Sequence, residues 1–304
     1  VSVLYCEELP FIMLNVLSAL GSAAYKTAAW TGLAAGTEQP PYPVASPLRK
    51  IDDVTDTANV EAISEDVFKA GMDMLRDPAW SIVDFRDPDA ADGGDLFLYT
   101  KPHVGPFNFA KATMSLRDCS VEKILAVMHS DDPADRKRCS ADLSGFEIFA
   151  RPTPTTNIQR VEYWAPPPVA SRDFCFLVGR KYDEEEDTTF IFGCSVDCAQ
   201  CPKSGRAGVV RGSCMWMWEM TPIGPNTIVT YVSCLNPRGW TPTFVVGWLK
   251  TEIAKELIAS RHLLYGLEFQ VEKITVEDMG LTVEQIESEK AAMREAGAEV
   301  DPSQ

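Results

Sequence analysis

A chain of 304 residues with 45% hydrophobic content has room for one large domain with extensions, and its apolar content excludes wholesale disorder. Its 28 basic residues stand against 44 acidic ones, a net charge of -16, which excludes nucleic acid as a partner because neutralising phosphates takes a surplus of Lys and Arg. The same charge argues against adhesion of the whole surface to anionic membranes.

The chain opens on Val1 rather than Met, so a processed or trimmed form is expected. Residues 11–35 are nearly all apolar or small and are broken by Lys26. The unbroken part is shorter than the ~20 residues that span a bilayer. Acidic Glu7 and Glu8 precede it, where a signal peptide carries positive charge. A packed helix, a targeting remnant and a membrane anchor stay open for this segment. Pro40, Pro41, Pro43 and Pro47 then mark an extended linker. The expected organisation is an N-terminal apolar segment with linker over 1–55, a main domain over 56–271 and an acidic tail over 272–304.

Within the main domain, Ser64 and Asp66 open a helix whose Phe68, Met72 and Leu75 share a face. Residues 80–85, 96–100 and 107–116 have strand character. Residues 121–129 return to helical spacing, with Ser120 as N-cap, and Asp131-Asp132-Pro133 starts a second short helix. Strands follow over 146–151, 158–164, 174–182, 188–196, 209–220 and 227–235, joined mostly by short connections that favour antiparallel pairing. Pro166-Pro167-Pro168 demands a loop between two of them. A long helix over 242–267 carries Val246, Leu249, Ile253, Leu257 and Leu264 on one apolar stripe.

Little in the sequence points to chemistry. His103, His129 and His262 fit no metal or triad spacing and read as surface or packing residues. Cys194, Cys198, Cys201 and Cys214 contain a single Cys-x-x-Cys without a second pair, so neither a metal site nor a cofactor is expected. No catalytic residue is assigned. The nine cysteines, odd in number and irregular in spacing, read as small hydrophobes of a reducing, cytoplasmic compartment. Should the N-terminal apolar segment be an anchor, membrane association follows through it.

Six stretches in order resemble START domains, the lipid-transfer domains related to the steroidogenic acute regulatory protein. They are Ser171-Arg172-Asp173-Phe174, Gly193-Cys194-Ser195-Val196-Asp197, Gly208-Val209-Val210-Arg211-Gly212, Trp218 with Pro222, Val229-Thr230-Tyr231-Val232, and Pro237-Arg238-Gly239-Trp240-Thr241-Pro242. Upstream, Val121-Glu122-Lys123-Ile124-Leu125 and Asp131-Asp132-Pro133 fit in the same order. The resemblance implies an α+β helix-grip fold, a curved antiparallel sheet wrapped around the C-terminal helix and enclosing an apolar tunnel. It implies one lipid in that tunnel (a phospholipid, sterol or related molecule), transient membrane contact, and a mouth partly closed by the loop after Trp164. Transfer between membranes by a monomer is the leading expectation; a lipid sensor acting on a partner and a helix-grip enzyme are the alternatives. The chain departs from the family at Val178, where many members carry an Arg, although Glu162 stands where some place that Arg's acidic partner.

The residues expected to meet the lipid follow from the tunnel. Glu162, Trp164, Val169, Arg172 and Phe174 flank the proline loop. Trp216, Trp218 and Met220 alternate along one strand and face one side, with Met215 and Met217 on the other, and either row suits the cavity wall. Tyr231 joins them from the next strand. The helix contributes Val246, Leu249, Ile253 and Leu257.

Overall fold

The structure, a computed structural model, describes residues 48–83, 96–102, 108–140, 142–165, 169–239 and 243–267, with scattered positions between 282 and 291; for 243–252 it describes the backbone alone. The apolar segment 11–35, the linker up to Pro47, Cys6, His103, Pro166 to Pro168 and most of the tail lie outside the described residues.

Along the chain run β1 (Lys50–Ile51), α1 (Thr57–Arg76), β2 (Ser81–Val83), β3 (Leu96–Thr100), β4 (Asn108–Leu116), α2 (Val121–Met128) and α3 (Pro133–Cys139). Then come β5 (Leu143–Thr153), β6 (Thr156–Tyr163), β7 (Ser171–Asp183), β8 (Thr188–Ser195), β9 (Asp197–Cys198), β10 (Val209–Arg211), β11 (Ser213–Ile223), β12 (Asn226–Asn236) and α4 (Thr243–Leu264). The order matches the sequence expectation, with three local differences.

The first concerns the start of α1. Asp56, not Ser64, caps it: the Asp56 carboxylate accepts from the Asn59 amide at 3.1 Å, satisfying one of the four amides a helix leaves unpaired at its start. Ser64 lies buried in mid-helix. The buried stripe is therefore Val60, Ile63, Val67, Gly71 and Met74 together with the expected Leu75, with Phe68 and Met72 only partly covered.

The second is the break at Gly212 in what reads as one strand. β10 pairs parallel with the start of β7, whereas β11 pairs antiparallel with β8 and β12. The Phe174 ring sits where a side chain at 212 would be, with an added Cβ falling 2.5 Å from Phe174 Cε1, so the crossing requires glycine. The third is a small parallel pair, β1 with β9, that seats Ile51 in the core.

The large sheet runs in the order β2-β3-β4-β12-β11-β8-β7-β6-β5, antiparallel throughout, with β10 beside β7. Each strand divides its side chains between two faces by the two-residue period. Leu177, Phe190, Phe192, Met215, Met217 and Val232 form one core with α1. Phe174, Phe176, Val178, Ile191, Trp216, Met220 and Val229 form another with α2 and α4. The helix-grip arrangement expected from the resemblance is thus present, with α4 against α2, α3 and β4. The two methionines belong to the α1 side and the two tryptophans to the α4 side, which decides which β11 row faces the interior hollow.

Candidate functional site

Between the sheet and helices α2, α3 and α4 lies a hollow of ≈ 280 Å³, just under the about 300–1,000 Å³ of typical small-molecule pockets. Its wall follows strand period. Gln159, Val161 and Tyr163 come from β6, Phe174 and Phe176 from β7, Trp216 and Trp218 from β11, Tyr231 and Ser233 from β12. Met128 and His129 at the end of α2, Arg136 and Cys139 of α3, and Ile253, Glu256 and Ser260 of α4 close the other side. A larger depression along β5, beside Asp131 and Pro133, is broad and open. Charged Asp131, Glu147 and Arg151 line it, and it lacks the enclosing apolar wall of a lipid site.

The wall is a belt of rings in mutual contact. Tyr163 meets Phe174 at 6.1 Å, Phe174 stacks on Phe176 at 5.5 Å, and Phe176 meets Trp216 edge-on at 6.0 Å. Trp216 stacks on His129 at 6.3 Å, His129 meets Trp218 at 5.3 Å, and Trp218 meets Tyr231 at 4.7 Å. Rings in such contact gain about 0.5–1.5 kcal/mol per pair beyond their buried area, so the wall is stiff.

The phenols, thiols and imidazole of the wall are held neutral. Burial pushes the phenols of Tyr163 and Tyr231 far up and the Cys139 and Cys214 thiols up. Burial first, then the charges of Arg136 and Arg180, push the His129 imidazole well below its ordinary value.

Of the residues expected to meet a lipid, Trp164, Val169, Arg172, Phe174, Trp216, Trp218, Tyr231 and Ile253 lie on this wall. The others do not, or lie where no side chain is described. Glu162 sits on the opposite face of β6, where it pairs with Arg206 at 2.5 Å and accepts from Ser144 at 3.2 Å. The inward residues of β6 have odd numbers, so Asn157 is the residue across from Val178 and Glu162 cannot be its partner. Met220 shares the face of Trp216 but is fully buried core, as is Leu257. Val246 and Leu249 lie in the stretch of α4 whose side chains are not described.

Arg172 plays a different part from the one its position suggests. Its Nε donates to the Pro237 carbonyl at 3.0 Å and Nη2 to that of Arg238 at 3.0 Å, while Nη1 donates to Ala170. Burial pulls its pKa down to about 10. The guanidinium ties the segment before β7 to the turn after β12. Asp173, next along, points the other way and takes both Arg211 nitrogens and the Ser204 amide. Only Phe174 of this trio presents an apolar surface to the hollow.

Among the described residues, no group of three or more His, Cys, Asp or Glu is placed to hold a metal. Cys194 and Cys214 belong to opposite cores, which separates the cysteines that sequence spacing brings together. The wall residues that sequence reasoning missed include His129, Tyr163, Gln159, Phe176, Ser233 and Glu256. Strand phase offered a signal for Tyr163, Gln159 and Ser233; nothing offered one for His129.

The family model of the START domain matches residues 95–261, more than half of the chain. The chain belongs to the START-domain family. Its START domain is similar in structure to human StAR-related lipid transfer protein 5, with a TM-score of 0.58 and 20% identity over 69% of this chain and 98% of that one. It is also similar to human STARD10, with a TM-score of 0.51 and 15% identity over 73% and 82%. A STAR-related lipid transfer protein from Xanthomonas axonopodis gives 0.51 and 20% over 62% and 99%. No curated protein sequence matches the chain. No helix among the described residues is long and apolar enough to cross a membrane.

Proposed function

We propose that the hollow holds a single lipid and that the protein carries it between membranes, working as a monomer that touches each membrane only in passing and without catalysing a reaction. The observation behind this reading is the ring belt from Tyr163 to Tyr231, which encloses an apolar space beneath α4. Each methylene sheltered there gains about 0.8 kcal/mol over water. A bilayer offers nearly the same, so a carrier needs a dry cavity and a mouth that opens more than it needs tight binding. The mouth in this reading is the segment around Val169 and Ala170, tied by Arg172 to the turn at Pro237 and Arg238. Val169 is buried against the hollow, so contact with a membrane follows opening rather than preceding it. A cytoplasmic setting accords with eight described cysteines that are all free thiols.

The test is native mass spectrometry of the protein from cells, with lipid transfer between vesicles measured on the same preparation. One lipid per chain and transfer faster than spontaneous exchange are expected. A bound lipid without accelerated transfer replaces the carrier with a sensor, and an interior that takes no lipid overturns both.

A further inference from the structure

Three cysteines gather on the side of the sheet turned away from the hollow. Cys175 of β7, Cys198 of β9 and Cys201 in the turn after it belong to the core packed with α1, and none of them lines the hollow. The Cys201 amide donates to the Cys198 carbonyl at 3.0 Å and closes a tight turn. There the Cys175 thiol donates a hydrogen bond to the Cys201 sulfur. Cys198 is engaged elsewhere, its thiol donating to Gln200 Oε1 at 3.2 Å. The Cys-x-x-Cys visible in the sequence is therefore not the pair whose sulfurs meet. The partner of Cys201 comes from a strand distant in sequence.

Two guanidinium groups converge beside this pair. Arg211 Nη2 donates to the Pro202 carbonyl at 2.9 Å, and Arg160 Nη1 donates to the same carbonyl at 3.4 Å. Arg160 also stands opposite Cys175 across the β6–β7 ladder. Positive charge in such a place favours a thiolate. The hydrogen bond from Cys175, aided by Arg211 and Arg160, draws the Cys201 thiol below its ordinary value. The same bond, with burial, pushes the Cys175 thiol up. Burial pushes up the other six described cysteines as well, so Cys201 alone is drawn down. Cys201 is itself buried, but Gln200, Pro202 and Lys203 beside it are exposed, so a local opening of this turn admits a molecule as small as peroxide.

We propose that Cys175 and Cys201 form a reversible oxidation site, in which Cys201 attacks hydrogen peroxide and Cys175 resolves the product as a disulfide. The Cys201 thiolate attacks one peroxide oxygen, the O–O bond breaks, and hydroxide leaves as the sulfur becomes a sulfenic acid. The hydroxide takes the proton of the Cys175 thiol and becomes water. The Cys175 sulfur then attacks the Cys201 sulfur, the S–O bond breaks, and a second hydroxide leaves. The two sulfurs together give up the two electrons that the peroxide gains. The new bond fastens the turn after β9 to β7, and a dithiol reverses it by exchange. Disulfides of this kind, transient and responsive to oxidant, are the ones a reducing compartment allows.

The test treats the whole chain, reduced and then freed of reductant, with hydrogen peroxide, and maps its peptides by mass spectrometry without reduction. The expected result is a peptide pair joined through Cys175 and Cys201, with loss of two free thiols per chain and their recovery in dithiothreitol. Cys175→Ser should halt at a Cys201 sulfenic acid that dimedone labels. Cys201→Ser should give neither that label at Cys175 nor a cross-link, and Cys198→Ser should leave the Cys175–Cys201 bond in place. The mapping on the unaltered chain needs no variant to fold. A bond between Cys198 and Cys201 in its place, a first oxidation at Cys175, or no disulfide until urea unfolds the chain would each overturn the inference. Lipid carriage depends on none of these results.

Discussion

Gly193 lies opposite Trp216 across the β8–β11 ladder, and the indole fills the space a side chain at 193 would need: an added Cβ would fall 2.5 Å from Trp216 Cζ2. The flat lie of Trp216 beneath the hollow therefore depends on an absent side chain one strand away. Gly193→Val should push the indole off its seat and into the hollow. We expect a loss of about 1–3 kcal/mol in stability from overpacking, together with weaker lipid binding. Gly205→Ala is the control, since nothing lies within 4 Å of an added Cβ there; urea unfolding should place it within about 0.5 kcal/mol of the parent.

Arg172 holds the carbonyls of Ala170, Pro237 and Arg238 with one guanidinium, so two segments at the end of the hollow move as one. Lysine keeps the charge but lacks the planar fork that reaches several acceptors at once. Arg172→Lys should cost on the order of 2–4 kcal/mol, because carbonyls lose charge-assisted partners. If the tie is what keeps the mouth shut, lipid should also leave faster, which stopped-flow release of a fluorescent lipid would read. Lost stability with an unchanged release rate would show that the mouth opens elsewhere.

Asp173 and Arg211 form the best-shielded ion pair of the described residues, with both Arg211 nitrogens within 3.0 Å of the carboxylate. The pair fastens β10 to β7 and lies on the side away from the hollow. Asp173→Ala leaves the part-buried Arg211 guanidinium with only the Pro202 carbonyl and the Ser204 amide without its acceptor, and should cost about 3 kcal/mol. Replacing both members with apolar residues should recover much of that loss. Lipid selectivity in the double variant should match the parent, since neither residue touches the wall.

The succession of strands and helices along the chain was legible because it rests on period; the helix that grips the sheet was legible only through the family resemblance, and period left open which row of β11 faces the hollow. Trp216 and Trp218 alternate, and Phe174 follows a motif whose place in the family is fixed. The phase of β6 was not legible from Glu162 alone: a carboxylate is a poor marker of the inward face when its partner, Arg206, comes from a distant loop. Reading β6 from its apolar members Val161 and Tyr163 gives the right phase. Arg172 was visible as a residue but not as a tie, because two of its three acceptors are backbone carbonyls 65 and 66 residues away. His129 gave no signal at all. It caps a helix, far in sequence from Trp216 and Trp218, and only the fold brings the three rings together.

A neutral His129 should make the fold sensitive to acid. Unfolding returns the ring to water and to its ordinary value of 6.5, from which burial, then Arg136 on α3 and Arg180 on β7, hold it well below in the folded state. Trp216 and Trp218 pack against the ring, and Glu256 on α4 and the neutral phenols of Tyr163 and Tyr231 line the same hollow. Above 6.5 both states are neutral at this ring and its contribution to stability is fully present. As pH falls below that value, the unfolded chain takes up a proton that the folded one refuses, so stability drops. Carboxylates add their own losses at lower pH, so the readout is the difference between the parent and His129→Phe. Urea midpoints taken at about pH 7.5 and about pH 5.5 should fall more for the parent than for the variant. Equal falls would mean that the folded ring takes a proton as readily as the unfolded one.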